Sequence, residues 1–374
     1  MKTNRREFII KTGAAAAGVS MMGFVGTPDD KPLQRRKNAL DYIIVRGHYD
    51  IWEFNARFAM REESQNSPLR DHLLPRLLGG GENVVVMPAG GEAARHRIGN
   101  DQLLAGSLRC TDMLITEIEK TNGKASIIKT KKDIPDFPDP NHVKFFLDFE
   151  GGDPISIDAE PGLHPDHRLA LLRHFFRVGV RGLQLTRDGR NQIGDGYLEG
   201  KGGKLSRFGV EVVKEMNRLG MMIGVSHVSE NTLFHAAEIS EKPIVSTHQN
   251  PRKFINTPLQ LSDEMIKAIA ATGGIAGVRF HSDKSTPYEK LVEMIDYIVN
   301  LVGVEHVGIG PLGHDIGCSG IDHRPVTSGT LTQTKVEQYN RLIGLLDKRF
   351  SEKDIALIMG GNYLRIWKEI LPDE

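Results

Sequence analysis

The chain predicts an α/β protein built as a (β/α)8 TIM-type barrel, and three observations carry that reading. Short apolar, β-branched runs recur along the 374 residues, amphipathic stretches separate them, and there are eight such runs. Strands that alternate with helices imply right-handed βαβ units and a parallel sheet. Eight strands is the number that closes a barrel. A doubly wound open sheet is the rival architecture. It is weakened because no glycine-rich phosphate loop follows the first strand, and "EGKGGKLS" has the wrong spacing for one.

The strands are expected at "DYIIVRGH" (41–48), "NVVVMP" (83–88), "VKFFLDF" (143–149) and "VRGLQLT" (180–186). Four more are expected at "MMIGVSH" (221–227), "KPIVSTH" (242–248), "GIAGVRF" (274–280) and "EHVGIG" (305–310). "RFGVEVVKEMNRLG" reads as a helix between two of them. "LSDEMIKAIAATGG" reads as another, opened by a Ser262 cap and closed by Gly273 and Gly274. "EGKGGKLS" becomes a turn before a helix, and "KKDIPDFPDPNH" a proline-rich connector before the third strand. The tail "IMGGNYLRIWKEIL" reads as a closing helix that packs its Leu, Ile and Trp on the barrel exterior.

The ends and the composition narrow the class. "NRREFIIKTGAAAAGVSMMGFVG" joins Arg5, Arg6, Phe8 and Lys11 to a weakly apolar stretch, the pattern of a twin-arginine export signal. Residues 1–30 are therefore assigned to the signal and a disordered N-terminus, and 31–374 to one barrel domain, periplasmic or extracellular. The other reading is a short basic tail. No later apolar run is long enough to span a bilayer. Lys plus Arg equals Asp plus Glu at 48 each, so nothing points to nucleic acid or an anionic membrane. With only Cys110 and Cys318, a disulfide scaffold or a thiolate zinc cluster is excluded, and any metal must use His and carboxylates.

In a barrel, chemistry sits at the C-terminal ends of the strands. The first strand ends in His48-Tyr49-Asp50, where a spacing of two puts both side chains on one face. The third ends in Glu150, followed by Gly151 and Gly152, which leave room above the carboxylate. The fifth ends in His227 and the sixth in His248. Three His and two carboxylates at one rim suit a divalent metal, with zinc favoured. A carboxylate between two His-containing groups suggests Glu150 as a bridge between two ions that together activate a water. A single strand-end histidine is more often a structural residue than a ligand, and five such residues at one rim outweigh that reading. His164, His167 and His142 keep the structural assignment, in a helix-entry loop and before a strand.

"GHYD", "FEGG", "FGVEVVKEMNRLGMMIGVSHVS" and "STHQNP" together resemble the membrane dipeptidase (renal dipeptidase) family of zinc hydrolases, from about residue 41 to the terminal "GGNYLRIW". The resemblance implies a distorted (β/α)8 barrel of the amidohydrolase type with two zinc ions, cleaving dipeptides outside the cytoplasm. It implies that His48 and Asp50 hold one ion, Glu150 bridges, and His227 and His248 hold the other.

Three departures stand out. Where the family carries a histidine that polarises the substrate carbonyl, "LQLTRDGRN" has Arg187. Where it grips the substrate carboxylate with an arginine, this chain has Leu259. Where its Gly-Asp-Phe-Asp-Gly supplies a metal-binding aspartate and base, "GIGPLGHDIG" places Leu312, and Asp315 only if the loop shifts. Asp315 and Glu150 are the expected catalytic carboxylates, and Arg187 and Arg252 the candidates to hold an anionic substrate group. The substrate expected is a small peptide, with an N-acyl amino acid or lactone as the same-fold alternative. A catalytically silent metal binder is the reading from another class. A homodimer is one assembly the sequence allows, and the sequence does not name the oligomeric state.

Overall fold

The structure is a computed structural model that describes residues 38–49, 67, 69–91, 103–160, 162–164, 167–279, 287–311 and 335–374. Nine strands occur among them: β1 Ile44–Arg46, β2 Glu82–Gly91, β3 Ala125–Ile127, β4 Val143–Glu150 and β5 Val180–Gln184, then β6 Met222–Gly224, β7 Ile244–Ser246, β8 Ile275–Val278 and β9 Val307–Ile309. All pair in parallel, in the order β1-β2-β4-β5-β6-β7-β8-β9. The Gly47 amide donates to the Ile309 carbonyl at 3.0 Å, which brings the first and last strands together. The eight-stranded barrel expected from the alternation is therefore present.

β3 is additional to that expectation. It pairs Ala125, Ser126 and Ile127 with Val143, Lys144 and Phe145, while β5 takes the later part of β4 from Leu147 onward. A three-residue strand carries too few alternations to be told from a loop. Six of the eight expected strands run longer than the observed ones, whereas β2 and β4 extend past their expected bounds. β1, β6 and β7 stop at Arg46, Gly224 and Ser246, so His48, His227 and His248 stand just past the strand ends.

Helices fill the connections: α1 Leu74–Gly80, α2 Leu103–Glu119, α3 Ala170–Val178, α4 Arg207–Leu219, α5 Glu230–Ile239 and α6 Asp263–Ala271. Ser206, Ser229 and Ser262 cap α4, α5 and α6, each hydroxyl accepting from the backbone amide three residues on. The Ser262 cap and the turn before α4 are as the sequence predicts. The chain continues through α7 Tyr288–Val302, α8 Lys335–Leu346, α9 Glu352–Ala356 and α10 Asn362–Ile370. No helix among the described residues is long and apolar enough to cross a membrane.

β4 shows how the two faces divide. Phe149 points outward and meets Phe175 of α3 edge to face, with ring centroids 4.5 Å apart. Phe146 points inward and stacks on Trp367 of α10, also at 4.5 Å. Val45, Val84, Met222, Val245 and Ile275, from five other strands, join Phe146, Tyr363 and Trp367 in one buried cluster. The terminal helix thus plugs the barrel interior from below, which corrects the expectation that its Trp packs outside. Gly47, Gly277 and Gly308 make room for it, because a Cβ at any of them would run into the Tyr363 ring or hydroxyl.

Candidate metal centre

Four side chains converge above that plug. His48, Glu150, His227 and His248 are all buried. Their approach is to one atom: Glu150 Oε1 lies 3.8 Å from His48 Nε2, 3.3 Å from His227 Nε2 and 3.7 Å from His248 Nε2. His48 stacks on His248 with centroids 3.9 Å apart, and the His227 and His248 Nε2 atoms are 2.7 Å apart. His48, Glu150 and His248 have ligand atoms close enough to share one cation.

Local structure sets each member in place. The Arg46 guanidinium, paired with Glu82, donates to the His48 carbonyl at 3.2 Å and fixes the backbone as it leaves β1. Glu150 ends β4 opposite Gly91 of β2, whose positive φ of 94° lets the backbones meet where a Cβ would strike Glu150. His227 has φ of 65°, in the left-handed region that non-glycine residues rarely adopt. Such a conformation costs on the order of 1–3 kcal/mol and persists where surrounding structure enforces it. Its carbonyl accepts from the Tyr197 amide at 2.8 Å, one of the bonds that does so. Gly152, expected to leave room above the carboxylate, instead makes room for Ile193.

A second layer orients the imidazoles. Asp188 Oδ1 lies 3.3 Å from His227 Nδ1, so the ring has a carboxylate at each nitrogen. Thr247 Oγ1 is 2.7 Å from His248 Nδ1. Below, Gln184 donates to Asp148 Oδ2 at 3.2 Å and accepts from the Ser226 amide, and Ser226 Oγ is 3.1 Å from Thr247 Oγ1. Asp188 and Thr247 were not singled out from the sequence. Their one signal there is adjacency to Arg187 and His248 at strand ends.

The electrostatics follow from this packing. Burial pushes the Glu150 carboxyl up, but the His227 hydrogen bond and the charges of His48 and Arg187 outweigh it and hold the pKa at about 2. Burial disfavours charge on His227, yet Asp188 and Glu150 raise its pKa overall. Burial, with His48 and His227 beside it, pushes His248 well below the usual imidazole range. Deep burial raises Asp148 to about 6, against the opposing influence of His48 and Gln184.

Three imidazole nitrogens around one carboxylate oxygen form a borderline N/O donor set, which suits a divalent metal. Two of those nitrogens are within hydrogen-bonding distance, so one of them donates a proton that a metal ligand would have to give up. The residues fit the group. Asp50 and Asp315 lie outside the described residues, as does Leu312. Arg187 is brought in: its Nε is 3.5 Å from Glu150 Oε2, and its Nη1 is 3.8 Å from Asp188 Oδ2. Arg252 is not brought to Glu150. Its guanidinium donates to the Gln260 carbonyl at 3.2 and 3.0 Å and lies 3.5 Å from Glu230. The Leu259 carbonyl accepts from Gln249.

The family profile for membrane dipeptidase (Peptidase family M19) matches residues 35–371. The chain belongs to the membrane dipeptidase family. Among curated members, dipeptidase verJ of Clonostachys rogersoniana is 30% identical over 276 residues, covering 71% of this chain and 66% of that protein. Dipeptidase 3 of Mus musculus is 29% identical over 229 residues, covering 57% and 44%. The chain spans less than two thirds of the length of these relatives. Solved structures share the family fold. The dipeptidase AC, a metallo peptidase, superposes with a TM-score of 0.70 at 19% identity over 89% of this chain and all of that one. A Rhodobacter sphaeroides metallo peptidase liganded with a phosphinate mimic of L-Ala-D-Ala gives 0.70 at 18% over 88% and 99%. The barrel and the metallopeptidase membership read from "GHYD" and "VSHVS" agree with these membrane dipeptidase relatives.

Proposed function

We propose that the chain is an exported, zinc-dependent hydrolase of dipeptide-sized substrates. The observation that carries this is the convergence of His48, His227 and His248 on Glu150 Oε1 in a member of a metallopeptidase family. His48, Asp50, Glu150, His227 and His248 would hold the metal. When bound, the metal supplies Lewis acidity and a water acidic enough to attack an amide near neutral pH.

This chain's own residues do the rest. Glu150, kept ionised by the imidazoles and Arg187, holds negative charge where a divalent cation would bind. Asp188 and Thr247 fix the rings of His227 and His248 so that their Nε2 atoms face the centre. Asp315 is the candidate general base. Arg187, only 15% exposed beside Glu150, offers a fixed cation to an anionic substrate group. Arg252 is engaged by Glu230 and Gln260 and is the weaker candidate for that role.

Leu259 and Arg187 shape the substrate. A dipeptide carboxylate that enters a partly buried pocket without a charged partner is penalised by several kcal/mol, at least a hundredfold in rate. kcat/KM on a panel of dipeptides, N-acyl amino acids and lactones tests the reading. Weak dipeptide turnover that rises in Leu259→Arg supports it. No hydrolysis of any member by the zinc-loaded protein would leave the silent metal binder, which Arg187 on Glu150 favours.

A further inference from the structure

The two oxygens of Glu150 have different company. Oε1 faces the three imidazoles, whereas Oε2 faces Arg187 Nε at 3.5 Å. A carboxylate bridges two ions by giving one oxygen to each. Here the second oxygen looks onto a guanidinium, which has no lone pair to give a metal and stays charged at every pH the fold tolerates. A divalent ion on that oxygen would sit beside a fixed positive charge, in a pocket where Glu150 is 4% and Arg187 15% exposed. Poor screening there makes like charges strongly repulsive.

Charge balance points the same way. Glu150 and Asp188 carry two negative charges, and Arg187, within 3.8 Å of Asp188 as well, offsets one. One divalent ion then leaves a single positive charge among these groups, and a second leaves three.

We propose that the centre holds one divalent ion, on the Oε1 side of Glu150 among His48, His227 and His248, and that the Arg187 guanidinium stands where a second ion would bind. This revises the two-ion expectation that the resemblance implies. It rests on the metal-binding part of the proposed function and not on the hydrolysis.

Zinc titration by calorimetry, with elemental analysis of the desalted full chain, tests it on wild type and Arg187→Met. The wild type is expected to retain one zinc per chain. Arg187→Met is expected to bind a second, with at least tenfold gain in the affinity of that step. Arg187→His serves as the second variant if Arg187→Met does not fold, and carries the same expectation. Two zinc ions in the wild type would overturn the inference while leaving the hydrolase reading intact. A stoichiometry that stays at one in a folded Arg187 variant would also overturn it, since the guanidinium would not be what excludes the second ion. No zinc in the wild type would overturn both readings.

Discussion

His227 Nδ1 stands 3.3 Å from Asp188 Oδ1, while the Nε2 of the same ring stands 3.3 Å from Glu150 Oε1. The imidazole is thus aimed from behind. A carboxylate on the far nitrogen sets the tautomer and raises the basicity of the near one, and such partners are typically worth about 10–100-fold in metal affinity.

Asp188→Asn keeps the shape and removes the charge. At a pH where His227 is neutral, zinc affinity in a competition assay with a chelating dye should fall about 10–100-fold. The proton on His227 should also be lost at lower pH, because Asp188 helps to raise its pKa. The pH at which zinc affinity begins to decline, relative to its own plateau, should therefore shift downward, a change that a purely structural role for Asp188 would not produce.

Asp148 should make the metal-free protein pH-sensitive. It is buried, its Oδ1 has no hydrogen-bond partner among the described residues, and its pKa is raised from 3.8 to about 6. The folded state keeps a proton that the unfolded chain has released, so stability falls as pH rises from 3.8 to about 6 and is level above that. Asp148→Asn should remove this slope and, in chelated protein at pH 7, raise unfolding free energy by on the order of 2 kcal/mol. Urea unfolding across that range measures it. Glu150 acts in the opposite sense at lower pH: its depressed pKa contributes stability above 4.5 that is lost as pH falls towards about 2.

Trp367 should matter far more than a surface tryptophan. It is buried, stacked on Phe146 inside the barrel and packed against Tyr363 at 5.6 Å. Trp367→Ala should cost about 3–5 kcal/mol in denaturant unfolding. A loss below 1 kcal/mol would mean that the terminal helix does not plug the barrel.

Export is predicted from Arg5 and Arg6, which lie outside the described residues. Their joint replacement by Lys should retain the precursor in the cytoplasm, as fractionation and immunoblotting would show, because the export receptor reads the arginine pair. Normal export of the double variant would remove the signal assignment.

The alternation of apolar runs with amphipathic stretches determined the barrel, because periods near 2 and 3.6 are local properties of the chain that survive without any knowledge of neighbours. Topology then placed Glu150, His227 and His248 at one rim, so the convergence of these side chains was legible as well. The partners were not. Asp188 behind His227, and Arg187 turned onto Glu150, are set by loop conformation past β5, where no periodicity constrains the backbone. The same limit explains the terminal helix. Its pattern says that Tyr363 and Trp367 are buried, but hydrophobic burial is non-directional and does not say against what. Only the closed sheet, with glycines at 47, 277 and 308 opening its interior, decided that they enter the barrel.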